Sequence, residues 1–173
     1  MIARTGSILA WAAAATLLSG RPVYATEGER EWSIAAMAGS SSSDPANPRW
    51  SAGLDGQLLF HASDFWALGA TVRPRFASGR AAIALDATAR WTLDALQWIP
   101  SVAAGVGGQF ATKSSALSVA VRAEGSLTWR AQRAWGISAR VAVESALSTN
   151  EPMHWLAGVG YVRYWGAGVG VDL

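Results

Sequence analysis

Charged side chains that could form ion pairs recur at even spacing along the chain. Arg122 and Glu124 are two residues apart, and this spacing places both side chains on one face of a β-strand. Two other segments also combine a carboxylate with an arginine at even spacing, and the full set is Asp86, Arg90, Arg122, Glu124, Arg140 and Glu144. Opposite charges on neighbouring strands attract, so we predict one ion-pair network. A structural role is the prediction, and a gated ion path is the alternative.

The two histidines, His61 and His154, are the residues best suited to acid–base catalysis. Ser63 follows His61 closely, but the two residues adjoin a predicted turn, and His61 falls on the polar face of its strand. His154 lies beside a predicted loop, where a solvated or interfacial side chain is the simpler interpretation. No group of residues has the spacing of metal ligands. We therefore predict no catalytic residue, no metal site and no cofactor.

The segment 117–129 indicates which kind of element positions these charges. Its odd positions carry Leu, Val, Val, Ala, Gly, Leu and Trp, and its even positions carry Ser, Ala, Arg, Glu, Ser and Thr. This period of two is typical of a β-strand with one apolar and one polar face. Similar alternation recurs along the chain and predicts eight strands joined by short turns. Because no helical period intervenes, the strands should form an up-and-down meander.

Aromatic residues gather at one end of the apolar strand faces. If the strands alternate in direction from a periplasmic N-terminus, seven consecutive strands have an aromatic residue at the periplasmic end, namely Trp32, Phe60, Trp66, Trp91, Trp98, Trp129 and Trp135. The opposite end has a sparser set, which consists of Trp50, Phe76 and Phe110. Aromatic rings mark the two water interfaces of a membrane barrel. The seven residues are therefore predicted to form an interfacial girdle.

The N-terminal segment has the features of a secretory signal peptide. Arg4 precedes an apolar run over residues 8–18, and small or tolerated residues follow up to Ala25. Cleavage after Ala25 would make residues 1–25 the signal peptide and residues 26–30 a short periplasmic lead. The basic excess of the whole chain then disappears, because two arginines and no acid are removed. We accordingly predict no nucleic-acid partner.

The composition indicates an outer surface that does not face water. Charged residues make up 15% of the chain, against about 25% in soluble domains, and the chain has 10 Trp and 18 Gly. A soluble eight-stranded barrel would carry Lys and Glu outside and would have no reason to collect Trp at one end of its strands. We therefore predict an all-β, eight-stranded antiparallel up-and-down transmembrane β-barrel over residues 31–173.

The last segment, residues 154–173, is long for one strand. We predict that Trp165 to Leu173 crosses the membrane and that His154 to Tyr164 projects beyond it. Arg163 has the outward parity, which is acceptable outside the membrane but costs about 2–4 kcal/mol at its midplane. A turn near Arg163 would create a ninth strand, against the even strand number usual in such barrels, so eight is the prediction.

Together these features resemble a small outer-membrane β-barrel of the OmpA/OmpX-like superfamily. The resemblance covers residues 31–173 and includes the strand-like C-terminus Val169-Gly170-Val171-Asp172-Leu173. Members of that superfamily end in an aromatic residue that the barrel-assembly machinery recognises, whereas this chain has Leu173. The resemblance implies the bacterial outer membrane as location, with outer-membrane lipid and the barrel-assembly machinery as partners. The His61-x-Ser63 spacing also resembles that of barrel lipid A deacylases, in which the pair lies late in the chain and faces lipid.

The predicted function is structural. We expect a monomeric, non-enzymatic barrel with a lumen filled by polar and charged side chains and with a structural or surface-interaction role. The alternatives are a barrel-embedded lipid-modifying hydrolase and a narrow ion-conducting channel. Eight strands enclose an interior that side chains just fill, which favours the closed lumen. The loops at residues 40–49 and 149–153 are the candidates for contacts outside the cell.

Overall fold

The structure is a computed structural model that describes residues 28–41, 50–77, 80–93, 97–112, 114–147 and 153–166. The predicted signal peptide, most of the two predicted contact loops and the C-terminal residues 167–173 lie outside these ranges. Within the described ranges, no helix has the length and apolar composition that crossing a membrane requires.

Eight antiparallel strands form one closed barrel. They are β1 (Glu29–Ser41), β2 (Trp50–His61), β3 (Trp66–Ala77), β4 (Arg80–Thr92), β5 (Trp98–Ala111), β6 (Ser114–Gln132), β7 (Trp135–Ala146) and β8 (His154–Gly166). Each strand pairs with the next, and β1 pairs with β8 to close the wall. The all-β, eight-stranded up-and-down fold is thus confirmed. The end at which β1 begins and β8 ends is called the N-terminal end below.

Alternate side chains of each strand point to opposite sides of the wall. On the outside, Leu58 of β2 and Val102 of β5 are 56% and 57% exposed. On the inside, Asp55 of β2 and Arg122 of β6 are buried. The polarity is therefore inverted relative to a soluble barrel, because apolar side chains form the outer surface and charged side chains fill the interior.

Pro74 interrupts the ladder between β2 and β3 without ending β3. The flanking register places it opposite Leu54, and proline has no N–H to donate to a neighbouring strand. The Nη1 atom of Arg75 instead donates a hydrogen bond of 2.9 Å to the carbonyl oxygen of Leu54. The interruption stays local, and the strand continues to Ala77.

Two strands extend beyond the predicted alternating segments and bring charges into the barrel. β1 begins at Glu29, so Glu29 and Arg30 belong to the wall rather than to a lead before it. β6 continues past Trp129 to Gln132 and adds Arg130, which is buried in the lumen.

The predicted layout of the last segment is wrong. β8 pairs with β1 along its whole length and with β7 from His154 to Arg163, so His154 to Tyr164 form the wall instead of projecting beyond it. Arg163 consequently lies near the N-terminal end of the barrel. The physical reason is the outer face of this segment, where Val159 lies beside Ala36 of β1 and continues the apolar surface across the seam.

Glycine allows a close backbone approach at the seam between β1 and β8. A Cβ atom built on Gly158, on the inner face of β8, would overlap the carbonyl oxygen of Ala36. A Cβ atom on Gly125, on the outer face of β6, would make an ordinary contact of 3.6 Å with Cγ2 of Val141. The seam therefore requires glycine at position 158, whereas position 125 has room for a larger residue.

The interior beside this seam is apolar. Ala35 and Met37 of β1 pack with Ala142 of β7 and Leu156 of β8 in one buried cluster. The cluster fills part of the lumen without charge and brings side chains of three strands together.

Candidate functional site

Arg122 of β6 is buried in the lumen and contacts carboxylates from three strands. Its Nη2 atom lies 2.5 Å from Oδ2 of Asp55 on β2. Its Nη1 atom lies 2.5 Å from Oε1 of Glu144 on β7. Glu124, two residues along β6, is the third partner. The alternation of β6 therefore places Arg122 and Glu124 together, the pairing of β6 with β7 supplies Glu144, and the closure of the barrel brings Asp55 across the lumen.

A second group connects these residues to β3 and β4. The Nε atom of Arg73 lies 2.5 Å from Oδ2 of Asp86, and its Nη1 atom lies 2.6 Å from Oε1 of Glu144. Arg75 contacts Asp55 and lies 2.9 Å from the same oxygen of Glu144. With the arginine of β6, three guanidinium groups converge on one carboxylate oxygen.

A third group lies closer to the N-terminal end. Arg90 of β4 contacts Glu31 of β1, with 2.5 Å between Nη1 and Oε1. The Oε1 atom of Glu124 is 3.9 Å from Arg90 and also 3.9 Å from Arg140. The other oxygen of Glu124 accepts a hydrogen bond of 3.2 Å from Gln57, which in turn accepts one from Arg90. Glu124 thus links this group to the two described above.

Arg130 forms a fourth group at the N-terminal end of the lumen. Its Nη2 atom lies 2.7 Å from Oε1 of Glu29 on β1. Its guanidinium carbon lies 4.0 Å from the ring centroid of Tyr164 on β8, within the range of a cation–π contact. Nε and Nη2 also donate hydrogen bonds to the carbonyl oxygen of Arg133. One side chain therefore ties β1, β8 and the turn after β6 together.

The paired charges in the described lumen balance. The arginines are Arg73, Arg75, Arg90, Arg122, Arg130 and Arg140, and the carboxylates are Glu29, Glu31, Asp55, Asp86, Glu124 and Glu144. Each set has the same number of members, so these groups together carry no net charge. A buried charge is tolerated when it is paired and hydrogen-bonded, because the dry interior otherwise penalises the charged form.

Half of these residues lie outside the predicted network. All predicted members face the lumen and take part in ion pairs, whereas the prediction lacks Glu29, Glu31, Asp55, Arg73, Arg75 and Arg130. Asp55 and Arg73 fall on the polar positions of alternating segments, and this pattern indicates an inward direction. Glu29 and Arg130 fall beyond the apparent ends of the alternation, which gave no indication of their place.

His61 points into the lumen, and Ser63 does not accompany it. The Nε2 atom of His61 is 3.5 Å from Oε2 of Glu31, and the side chain is buried. The Oγ atom of Ser63 accepts hydrogen bonds from the backbone N–H groups of Phe65 and Trp66, which stabilise the turn between β2 and β3. These two residues therefore do not form a lipid-facing His–Ser pair.

A polar cavity of about 10 Å³ lies beside His61 in the lumen. Its walls include Glu31, Arg90, Thr92 and Tyr164. Such a volume has room for about one water molecule, so this cavity is too small for a lipid or a sugar. Among the described residues, no group of three or more His, Cys, Asp or Glu side chains is arranged to hold a metal ion.

The outer face of the N-terminal end has aromatic side chains on every strand. The seven predicted positions all lie at this end, and Trp98 and Trp129 are in contact, with ring centroids 6.3 Å apart. On β8, Tyr161 has its ring centroid 5.6 Å from that of Trp32 and 6.1 Å from that of Trp135. Tyr161 extends the ring to the eighth strand. The sequence prediction lacks Tyr161 because it places His154 to Tyr164 beyond the membrane.

The opposite end has fewer outward aromatic residues. Trp50, Phe76 and Phe110 are exposed there, and Trp155 of β8 joins them. The outer wall between the two aromatic levels is formed by apolar residues such as Leu85 and Val141. The barrel therefore has an apolar band with an aromatic border on each side.

A scan against protein-family models found no match, and no curated protein is similar to the chain in sequence. Solved structures are similar in fold. OprG, an outer membrane protein of Pseudomonas aeruginosa, is 7% identical with a TM-score of 0.64, over 85% of this chain and 100% of OprG. Neisserial surface protein A is 13% identical with a TM-score of 0.61, over 79% of this chain and 96% of that protein. The outer membrane enzyme PagL is 11% identical with a TM-score of 0.52, over 76% and 98% respectively.

The chain has the fold of small outer-membrane β-barrels. At the level of the fold, this similarity confirms the predicted resemblance to small outer-membrane barrels. Because the group includes an enzyme as well as surface proteins, the outer-membrane barrel fold does not by itself decide the function.

Proposed function

We propose that this protein is an integral outer-membrane barrel with a structural role. The polarity of the wall carries the proposal. The outward side chains of Leu85, Val141 and Val159 are 57%, 61% and 61% exposed, as part of a continuous apolar surface that water would penalise. Lipid removes that penalty. A closed barrel also suits lipid because its backbone hydrogen bonds are satisfied between strands.

The N-terminal end would lie on the periplasmic side. The longest connection at this end is residues 93–97, between β4 and β5, whereas the opposite end has the longer connections 42–49 and 147–153. Short periplasmic turns and aromatic rings at both interfaces are typical of such barrels. The predicted aromatic residues and Tyr161 would then form the periplasmic girdle, and Trp50, Phe76, Phe110 and Trp155 would form the outer one.

Outer-membrane lipid is the principal partner in this proposal, and the barrel-assembly machinery would insert the chain through its C-terminal strand. β8 supports this role because it closes the wall between β7 and β1. A monomer is the simplest assembly, since closure leaves no strand edge for a second copy to extend.

The ion-pair network would stabilise the barrel rather than conduct ions. Each lumen arginine pairs with a carboxylate from another strand, so the network acts as a set of cross-links through the interior. The interior of an eight-stranded barrel is also just wide enough for its side chains. A structural plug is therefore the role that the lumen geometry supports.

Fractionation of cells that express the full chain tests the location. We expect the protein in the outer-membrane fraction, with faster migration of the unheated sample in a detergent gel. A control with Val141→Asp and Val159→Asp should lose both properties, because it places charges in the apolar band. Recovery of the wild-type protein from the soluble periplasmic fraction would contradict the proposal.

Planar-bilayer recordings test the structural plug against the channel. The purified wild-type protein should give no steady conductance steps. Steps that appear with the wild type and disappear in Arg122→Ala or Glu124→Ala would show that the network lines an ion path.

The proposal does not include an enzymatic role, although PagL shares the fold. His61 is buried against Glu31 inside the lumen, away from the outer wall where an acyl chain would lie. Acyl-chain release from lipid A and from phospholipid vesicles should therefore be the same for the wild type, for His61→Ala and for buffer alone. Release that depends on His61 would support the hydrolase instead.

A further inference from the structure

Among the described side chains of the wall, two arginines face outwards, Arg30 of β1 and Arg163 of β8. Both side chains are exposed. Within the part of the chain that the structure describes, neither guanidinium forms an ion pair with a carboxylate. The lumen arginines differ in this respect, since each of them pairs with a carboxylate from another strand. The described residues therefore provide a counterion for the inner arginines but not for the outer two.

The register brings the two outer arginines together at the barrel seam. Arg30 lies opposite Trp165, and Arg163 lies opposite Trp32. Arg30 and Arg163 are therefore diagonal neighbours on the same face, a relation that separates residues by about 7–8 Å in an antiparallel pair. Two long side chains that start this close together can reach one anionic group.

Aromatic residues flank the two arginines on both sides. Arg163 lies opposite Trp135 on β7, and Arg30 lies opposite Phe60 on β2. The tilted rings of Trp32 and Tyr161 lie beside the pair on the outer wall. The site thus combines two cationic groups with an apolar surface, a combination that fits an amphiphile with an anionic headgroup and acyl chains.

We propose that Arg30 and Arg163 bind the phosphate group of an anionic phospholipid, such as phosphatidylglycerol, in the inner leaflet of the outer membrane. Guanidinium groups bind phosphate oxygens through paired N–H donors, and they do so strongly beside a low-dielectric surface. The assignment to the inner leaflet depends on the proposed function, which places the N-terminal end at the periplasmic interface. Arginine is also tolerated at that depth, whereas the apolar band would exclude it.

Native mass spectrometry of the full chain, refolded in detergent, tests the site with phosphatidylglycerol and phosphatidylcholine of identical acyl chains at equal concentration. We expect the wild type to retain phosphatidylglycerol preferentially. Arg30→Gln and Arg163→Gln should each lower the ratio of bound lipids about fivefold, and the double variant should bring it close to one. A wild type without a preference would overturn the proposal.

Two further variants separate a built site from diffuse charge. Replacement of both residues by lysine keeps the charges but loses the paired N–H donors of the guanidinium, so it should lower the ratio about twofold, whereas an unchanged ratio would show diffuse charge and would overturn the site. Arg80→Gln removes one positive charge at the start of β4, at the opposite end of the barrel, and should leave the ratio unchanged. An equal loss with Arg80→Gln would show an attraction by net charge alone and would overturn the site.

A third lipid arm distinguishes the two leaflets. Lipid A also has phosphate groups, so a preference of the wild type for lipid A over phosphatidylglycerol would overturn the assignment to the inner leaflet. Heat-modifiable migration is recorded for each variant. A wild type that folds and fractionates with the outer membrane but lacks the preference contradicts only this inference, whereas failure to fractionate there contradicts the proposed function. If the glutamine variants do not fold, the wild-type and lysine measurements still decide the outcome.

Discussion

Arg122 lies on the inner face of the barrel wall, and Arg163 lies on its outer face. Arg122 is buried and contacts three carboxylates, whereas Arg163 is exposed among aromatic residues. The difference follows from depth and dielectric. Inside, a charge is stable because other strands supply the opposite charge. Outside, a charge is stable because it lies at the edge of the apolar band rather than within it.

The comparison shows that the two walls depend on different properties. The stability of the inner wall depends on ion pairs between its side chains, so a change at one residue affects several strands. The outer wall depends on the position of each residue along the barrel axis, so the same substitution has different effects at different heights. A third property is the small size of glycine, which lets the backbones of β1 and β8 approach closely at the seam.

Removal of one inner partner should have the largest effect. Arg122→Met leaves carboxylates of β2, β6 and β7 with fewer cationic partners, and we expect a loss of about 3–5 kcal/mol in the free energy of unfolding. The matched change Arg163→Met on the outer wall should alter it by less than about 1 kcal/mol. Unfolding titrations with guanidinium chloride, carried out on both variants in phospholipid vesicles, measure the difference in the free energy of unfolding. Equal losses for the two variants would remove the distinction between the walls.

A charge placed in the apolar band should have the next largest effect. Val141 lies midway along the outer face of β7, and Val141→Arg should lower the free energy of unfolding by about 2–4 kcal/mol. Leu147 follows the same strand at its far end, where the same substitution should cost about 0–1 kcal/mol. The same unfolding titration in vesicles measures the free energy of unfolding of both leucine and valine variants. A cost that does not depend on height would contradict a membrane-facing outer wall.

A methyl group at the seam should have the smallest of the three effects. Gly158→Ala forces a Cβ atom against the carbonyl oxygen of Ala36 and should cost about 1–3 kcal/mol. Gly125→Ala is the control, because its Cβ atom would meet only a side-chain methyl group at ordinary distance. The midpoint of thermal loss of the fast-migrating gel form is sufficient to rank them. If Gly125→Ala proves the more harmful, the close approach at the seam is not what requires glycine.

The strands and their faces could be predicted from sequence because alternation is local. In β6, for example, residues two positions apart lie on the same face of the strand. This rule alone predicts that Arg122 and Glu124 share the inner face. The same rule indicated an aromatic residue at one end of seven strands. The up-and-down order could be predicted because no segment with a helical period interrupts the strands.

The pairing of Arg122 with Glu124 could be predicted because both lie on one face of β6, whereas partners from other strands depend on how the strands pair and on which of them meet across the lumen. Arg90 pairs with Glu31 from a strand 59 positions earlier, and alternation carries no information about such distances. The predicted limits of the last strand are wrong for a related reason. Its glycines and Arg163 weaken the alternation, and its true limits are set by pairing with β1 and β7.

The seam between β1 and β8 joins the first and the last of the described strands, and this has a consequence for the assembly of the barrel. Until the last strand arrives, the first strand and the seventh each expose a row of unpaired N–H and C=O groups. In a bilayer every such group costs several kcal/mol, so a seven-stranded sheet is not a state in which the chain can rest among lipids. Insertion and closure are therefore expected to occur as one cooperative event. Amide exchange of β1 and β8 should then show a single rate of opening.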